Sequence, residues 1–388
     1  MTGSALDAHL SEEQRGLLDQ ARRIAAELSA TASRSQTGRV NRELLSALAR
    51  SGLLGRLFAH GEQGWRPDIS ALELCLIREG LAHGCTEAET AFAMQGLGSF
   101  PLLQSGRREA IEEWIPRVAA GEAAAGFALS EPQAGSDVAA LSLRAERDGA
   151  GWRLNGVKTW ISNAPDADVY AVFARSTEGT GARGLTAFLV PGDAPGLTGE
   201  PIHLVSPHPI GRLEFEDVPV PDEYVLGEVD QGFAVAMSTL DMFRPSVGAF
   251  AVGMAQAAIA ATIAHLQERV AFGKPLRAQQ ALAHRLADVA TRTQAARLLV
   301  HAAASAHDAG VQPTTQAAAM AKLLATEVAQ EAVDTAVQFH GAQALERGHL
   351  LEHLYREVRA PRIYEGASEI QREIIARGLF APPLKDTR

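Results

Sequence analysis

In the stretch IYEGASEI, residues 363–370, one carboxylate, Glu365, stands beside Gly366 just ahead of a helix. A carboxylate held still on a turn and stripped of water is a general base; one left in solvent is an ordinary turn residue. Ser368-Glu369-Ile370-Gln371 reads as a capping box, with Ser368 at N-cap and Gln371 at N3. It predicts a helix through Ile374 and Ile375 that stops near Gly378.

Three further stretches match chemical motifs. HLLEH, 349–353, sets His349 and His353 four residues apart with Glu352 between them. That is the donor set of a hydrolytic zinc with Glu352 as base. No third ligand is nominated, and an exposed helix carrying two histidines is the other reading. GTGARG, 179–184, is a literal GxGxxG, but DVYAVFARS precedes it and LTAFLV follows. A dinucleotide site needs a helix after the glycines, so a loop between two strands is predicted. FALSEPQAGSDVAAL, 127–141, places Gly135 and Ser136 after a β segment, with Pro132 and Asp137 as turn formers. It is either a plain β-turn or a loop whose backbone N–H groups and hydroxyls meet a polar ligand.

These residues must be positioned by three zones. Residues 1–122 read as helices, with a capping box at Ser11-Glu12-Glu13-Gln14 and a helical pattern through NRELLSALARSGLLG that ends at Gly52 and Gly55. Residues 123–234 turn to short alternating segments such as GWRLNGVKTWIS and GLTAFLVPG, and Asn155-Gly156 reads as a hairpin. Residues 235–388 are again helical and alanine-rich, with Leu282, Leu286, Val289 and Leu299 at helical spacing and a break at Gly310 and Pro313. The expected fold is a multidomain α+β chain: an N-terminal α-helical domain, a central β-barrel or sandwich-like domain and a C-terminal four-helix bundle.

Composition limits the function. Of 388 residues 46% are apolar and 21% charged, as in soluble globular proteins. A net charge of −10 without a long basic run argues against nucleic acid and a polybasic membrane anchor. Cys75 and Cys85 fit neither a zinc knuckle nor a redox pair, which with the polar N-terminus suggests a cytoplasmic protein. Val247–Ala264 is 18 residues without a charge, but its alanine and glycine content fits a helix buried in a bundle better than a membrane span.

Taken together, GFALSEPQAGSD, KTWISN, ERVAFGKPL, VQFHGAQ and IYEGASEIQREIIAR resemble the acyl-CoA dehydrogenase family over nearly the whole chain. The resemblance implies FAD lying between the β domain and the C-terminal bundle. Phe127, Leu129 and Ser130 would line the isoalloxazine ring, with Trp160 and Ser162 on another side. Arg269, Phe272, Gln280, Gln338 and Gly341 match positions that reach FAD from a neighbouring subunit, and Glu369 belongs to the same cofactor set. The implied assembly is a homodimer or homotetramer. Glu365 matches the base that takes the proton α to a thioester carbonyl while a hydride leaves the β carbon for flavin N5. The enolate oxygen would be held by the backbone N–H of Glu365 and a ribityl hydroxyl, with Gly366 allowing close approach. Ser136, Asp241 and Arg244 match substrate contacts, Arg244 having a helix ion pair as its other reading.

Some relatives carry the base at the position of Phe243, which cannot act. The chain departs from the pattern at VSPHPIGRLEF, 205–215, at Ala342 and at Ala367. Phe92 and Met94 are large for the floor of an acyl pocket, so a short or branched acyl chain is expected, on CoA or a carrier protein, in fatty acid or secondary metabolism. An electron-transferring flavoprotein would take the electrons. The rival readings are an acyl-CoA oxidase or flavin monooxygenase on the same fold, and a zinc hydrolase built on His349, Glu352 and His353.

Overall fold

The computed structural model describes residues 5–380 apart from 35, 37, 63, 68, 179, 180, 312 and 313. Two compact units appear, one of residues 12–240 and one of 241–380 with the short segment before residue 12.

The first unit begins with helices α1 (Glu12–Ala32) and α2 (Arg42–Arg50), a hairpin β1 (Phe58–Gly61) and β2 (Gly64–Pro67), and helices α3 (Ala71–Gly84), α4 (Thr86–Ser105) and α5 (Arg108–Ala119). The hairpin corrects the all-helical expectation for this zone. Side chains set the helix starts. Asn41 accepts from the Leu44 amide at 3.0 Å, and Ser70 with Glu73 closes a full capping box on α3. Helix α4 is buried along most of its length, Phe92 included, while Met94 is half-buried.

The sheet of this unit comprises β3 (Ala125–Ala128), β4 (Arg144–Asp148), β5 (Gly151–Ser162), β6 (Val169–Arg175), β7 (Leu185–Pro191), β8 (Leu197–Pro201), β9 (Ile210–Pro221) and β10 (Val225–Leu226). These eight strands run in the order β10-β7-β6-β4-β5-β9-β8, with β3 paired parallel to β6. Strand β6 is buried on both faces, whereas β5 alternates, sending Trp152 and Leu154 inward.

Asn155-Gly156 is not a hairpin. It lies inside the continuous strand β5, where the register with β9 shifts between Leu154 and Gly156. Gly156 has φ +141°, and Asn155 exchanges bonds of 2.9 Å with the side chain and backbone of Asp217. The result is a β-bulge; the chain reverses earlier, at Gly149-Ala150, between β4 and β5. The GxGxxG stretch joins the antiparallel strands β6 and β7, as a strand-to-strand loop requires; Gly179 and Thr180 lie outside the described residues.

At Gly98 helix α4 lies directly on strand β3. A Cβ there would meet the Ala125 carbonyl carbon, the Ala125 Cβ and the Gly126 nitrogen, each at 2.8 Å. Gly98→Ala is expected to cost about 1–3 kcal/mol by overpacking. Thermal unfolding measures it, and a variant that melts with the wild type would show that β3 yields freely.

The second unit holds the C-terminal part of α6 (Gly232–Glu268), a short ribbon β11 (Val270–Ala271) and β12 (Lys274–Pro275), then α7 (Gln280–Asp308), α8 (Thr315–His340), α9 (Leu350–Glu357) and α10 (Ser368–Phe380). Helix α6 is long and apolar enough to cross a membrane, yet 72% of its most apolar window is buried inside the protein, the signature of a core helix. In α7 the leucine stripe is only partly right. Val289 is buried, but Leu282, Leu286 and Leu299 are half-buried, and Thr293, Ala296, Arg297, Val300 and Ala304 fill the inner face. Helix α7 ends before Gly310; Pro313 lies outside the described residues.

Candidate active site

Within the first unit the loop after β3 and the end of β5 are tied side by side. The Thr159 amide donates to the Ser130 carbonyl at 3.0 Å, and the Asn163 amide group donates to the Ala125 carbonyl at 2.8 Å. This brings Phe127, Leu129, Ser130, Trp160 and Ser162 together. Phe127 stacks at a tilt on Phe173 with centroids 4.9 Å apart. Trp160 sits in a second register shift of β5, at φ +55°, and is 50% exposed. The left-handed backbone there costs about 1–3 kcal/mol and turns the indole out of the core.

Two residues that the motif reading passed over hold this loop. Lys158 is 0% exposed, and its ammonium donates to the Leu129 carbonyl at 2.9 Å and to Glu131 at 2.8 Å. Glu131 also accepts from the amides of Ser142 and Leu143, at 2.7 and 2.9 Å, and from the Ser142 hydroxyl and Gln133. Burial pushes Lys158 down to about 8, against the pull of Glu131. Burial works against the Glu131 charge too, but Lys158 and the two amides outweigh it and hold the carboxyl below its usual range. Arg175 fastens the far side through the Ala139 and Leu141 carbonyls. Ser136 is exposed at the tip.

In the second unit Glu365 and Gly366 form a turn with φ +51° and +94°. The carbonyls of this turn point back into protein. Gln371, fully buried, donates to the Gly366 oxygen at 2.8 Å and the Glu365 oxygen at 3.3 Å, and the Lys322 ammonium donates to the Gly366 oxygen at 2.7 Å. The capping-box reading needs correction. Helix α10 starts at Ser368 itself, the Gln371 amide bonds to the Ala367 carbonyl, and the Ser368 hydroxyl donates to Glu327 at 2.7 Å. With Ser368 already inside the helix, its hydroxyl is spent on the half-buried carboxylate of Glu327 and does not cap the first turn. The helix also runs past Gly378 to Phe380.

The remaining nominated residues are placed as follows. Asp241 and Arg244 pair with each other at 2.7 Å, Asp241 also accepting from Thr315 at 3.1 Å, so the helix ion pair is realised. Arg269 follows α6 directly and leads into the β11–β12 ribbon, whose tip carries Phe272 at φ +53° and 93% exposure. Gln280 opens α7, Gln338 and Gly341 close α8, and Glu369 lies in the first turn of α10; all four are exposed. The HLLEH residues serve helix α9. His349 is its N-cap, accepting from the Leu351 amide at 3.1 Å, and Glu352 pairs with Arg356 at 2.7 Å. Among the described residues no three His, Cys, Asp or Glu side chains gather as metal ligands.

Comparison with known proteins decides the family. Sequence profiles of the acyl-CoA dehydrogenase N-terminal, middle and C-terminal domains match residues 11–122, 126–218 and 230–380. The chain belongs to the acyl-CoA dehydrogenase family. It is 37% identical to the cyclohexane-1-carbonyl-CoA dehydrogenase of Geobacter metallireducens, over 95% of this chain and 98% of that one. The butyryl-CoA dehydrogenase of Megasphaera elsdenii superposes with a TM-score of 0.89 at 32% identity, covering 97% of this chain and 100% of that one. A chain from a structure described as the electron transferring flavoprotein of Acidaminococcus fermentans gives 0.91 at 32% identity, with the same coverage.

This acyl-CoA dehydrogenase is an FAD enzyme, as solved relatives in FAD complexes are. Its residues fit that group. Trp160 offers a flat apolar face beside the polar backbone of Ser130, and Arg269 offers an exposed guanidinium suited to phosphate oxygens. Among the described residues six non-glycines have positive φ, and Trp160, Phe272 and Glu365 are three of them. Lys322 and the Glu131–Lys158 pair were missed from sequence, and Gln371 was read as a capping-box residue when it holds the Glu365 turn. The available signal was a lysine inside a buried, alanine-rich helical run.

Proposed function

We propose that this acyl-CoA dehydrogenase removes the α proton and the β hydride of a short, branched or alicyclic acyl-CoA, with Glu365 as the base. One observation carries the reading: Glu365 stands on a positive-φ turn whose carbonyls are tied back by Gln371 and Lys322. A left-handed residue of this kind costs about 1–3 kcal/mol, and such strain clusters at functional sites. Bound FAD supplies the acceptor for the hydride. The carboxylate of Glu365 takes the α proton, and its backbone N–H stabilises charge growing on the thioester oxygen. Phe127, Leu129, Ser130, Trp160 and Ser162 hold the flavin. Arg269, Phe272, Gln280, Gln338, Gly341 and Glu369, exposed in the single chain, reach the cofactor of a second copy in a homo-oligomer. Ser136, Asp241, Arg244 and Gly366 face the thioester and its carrier.

The acyl preference is supported by the cyclohexane-1-carbonyl-CoA relative and by Phe92 and Met94 in α4. The likeness to the Acidaminococcus chain supports an electron-transferring flavoprotein as acceptor. The test is anaerobic mixing of the yellow protein with butyryl-, isobutyryl-, cyclohexanecarbonyl- and palmitoyl-CoA while the flavin absorbance is followed. Bleaching by the compact thioesters with little by palmitoyl-CoA is expected. Preference for palmitoyl-CoA overturns the acyl assignment, and a protein that cannot be loaded with flavin overturns the whole reading. Oxygen uptake in the same assay exposes an oxidase.

A further inference from the structure

Behind the Glu365 turn lies a cation that the proposed reaction does not use. Lys322 is the single lysine of α8, 0% exposed on a face lined by Ala318, Ala319, Ala321 and Ala325. Its ammonium reaches 2.7 Å from the Gly366 carbonyl, which also accepts from Gln371. A buried ammonium is retained only where it is bonded or paired. The other charges around it are matched elsewhere. Arg244 of α6 pairs with Asp241. Glu327 of α8 takes Arg362 at 2.9 Å, Arg372 at 3.7 Å and the Ser368 hydroxyl, and Glu369 of α10 lies 3.7 Å from Arg372. The carboxylate that acts most strongly on Lys322 is that of Glu365.

We propose that Lys322 is a positioning residue: its ammonium clamps the Gly366 carbonyl, fixes the turn and sets a positive charge behind the Glu365 side chain. The proposal rests on the reading of Glu365 as base. Attraction between opposite charges is mutual, so a cation that stabilises the ionised base extends activity to lower pH. Burial itself pushes Lys322 down to about 8, so it still carries its charge at neutrality.

The experiment compares wild type, Lys322→Met, Lys322→Gln and Glu365→Gln as FAD-loaded proteins. Bleaching by cyclohexanecarbonyl-CoA is followed across pH, and amide hydrogen exchange of residues 363–367 is measured. Methionine keeps the bulk and loses donor and charge; glutamine keeps a donor to the Gly366 carbonyl without the charge. In both lysine variants the acid limb is expected to move up by about one pH unit, an approximately tenfold loss of rate on the limb. Exchange at the turn accelerates in Lys322→Met and stays near wild type in Lys322→Gln. Acid limbs and exchange rates that coincide with wild type, with Glu365→Gln inactive, overturn the role of Lys322 alone. Wild-type bleaching by Glu365→Gln overturns the base assignment and this proposal with it. Should Lys322→Met fail to fold, Lys322→Gln carries the pH comparison by itself.

Discussion

Glu365→Gln is expected to yield a protein that binds FAD normally, stays yellow with acyl-CoA and bleaches about 10²–10⁴-fold more slowly than wild type. The amide matches the carboxylate in shape and cannot take a proton. The turn itself should survive, because it is held through backbone oxygens. Gln371 and Lys322 grip the carbonyls of Glu365 and Gly366, not the side chain being replaced. The loss therefore reports chemistry rather than collapse. Phe243, at the alternative base position, is buried and apolar and offers no rescue. Wild-type bleaching by this variant would move the base to another residue.

The second large effect concerns stability. Glu131→Ala is expected to lose about 3–5 kcal/mol, the cost of stranding one partner of a buried ion pair. The side chains of Lys158 and Glu131 are 0% and 1% exposed, and the substitution also strips acceptors from the Ser142 and Leu143 amides. For a unit of this size each kcal/mol lowers the melting temperature by about 2–4 °C. The sign with pH follows from the lowered value of Glu131. Its stabilisation is complete above 4.5, the ordinary value, and is lost as acid carries the solution down through the folded-state value. The gap between wild type and variant should narrow over that interval. Loop 129–143 carries Ser130 and Ser136, so FAD retention should fall with it. A variant that melts beside the wild type at neutral pH would show that the pair contributes nothing net.

Much of this was legible in the residues. The helical, β and helical zones follow from periodicity; the turn ahead of a helix start drew attention to Glu365, and its role as base came from the family resemblance. What escaped depends on distance along the chain. Lys158 meets Glu131 27 residues away and Lys322 meets Gly366 44 residues away, so no local pattern announces either contact. Asn155-Gly156 misled because a dipeptide with strong turn propensity was recruited as a bulge. The reversal falls instead at Gly149-Ala150, directly after Asp148. The leucines of α7 misled for a different reason. In a bundle this rich in alanine, small residues and even Arg297, paired with Asp7 at 2.5 Å, can occupy the inner face.

The unusual backbone at Trp160, Phe272 and Glu365 has a consequence for anyone engineering this chain. Glycine or asparagine relaxes a left-handed residue, so a selection that rewards heat resistance alone will drift toward those substitutions at all three places. It would harvest robust variants that lack the side chains on which the proposed function depends. Libraries intended to harden the enzyme should keep these codons fixed and spend their diversity elsewhere.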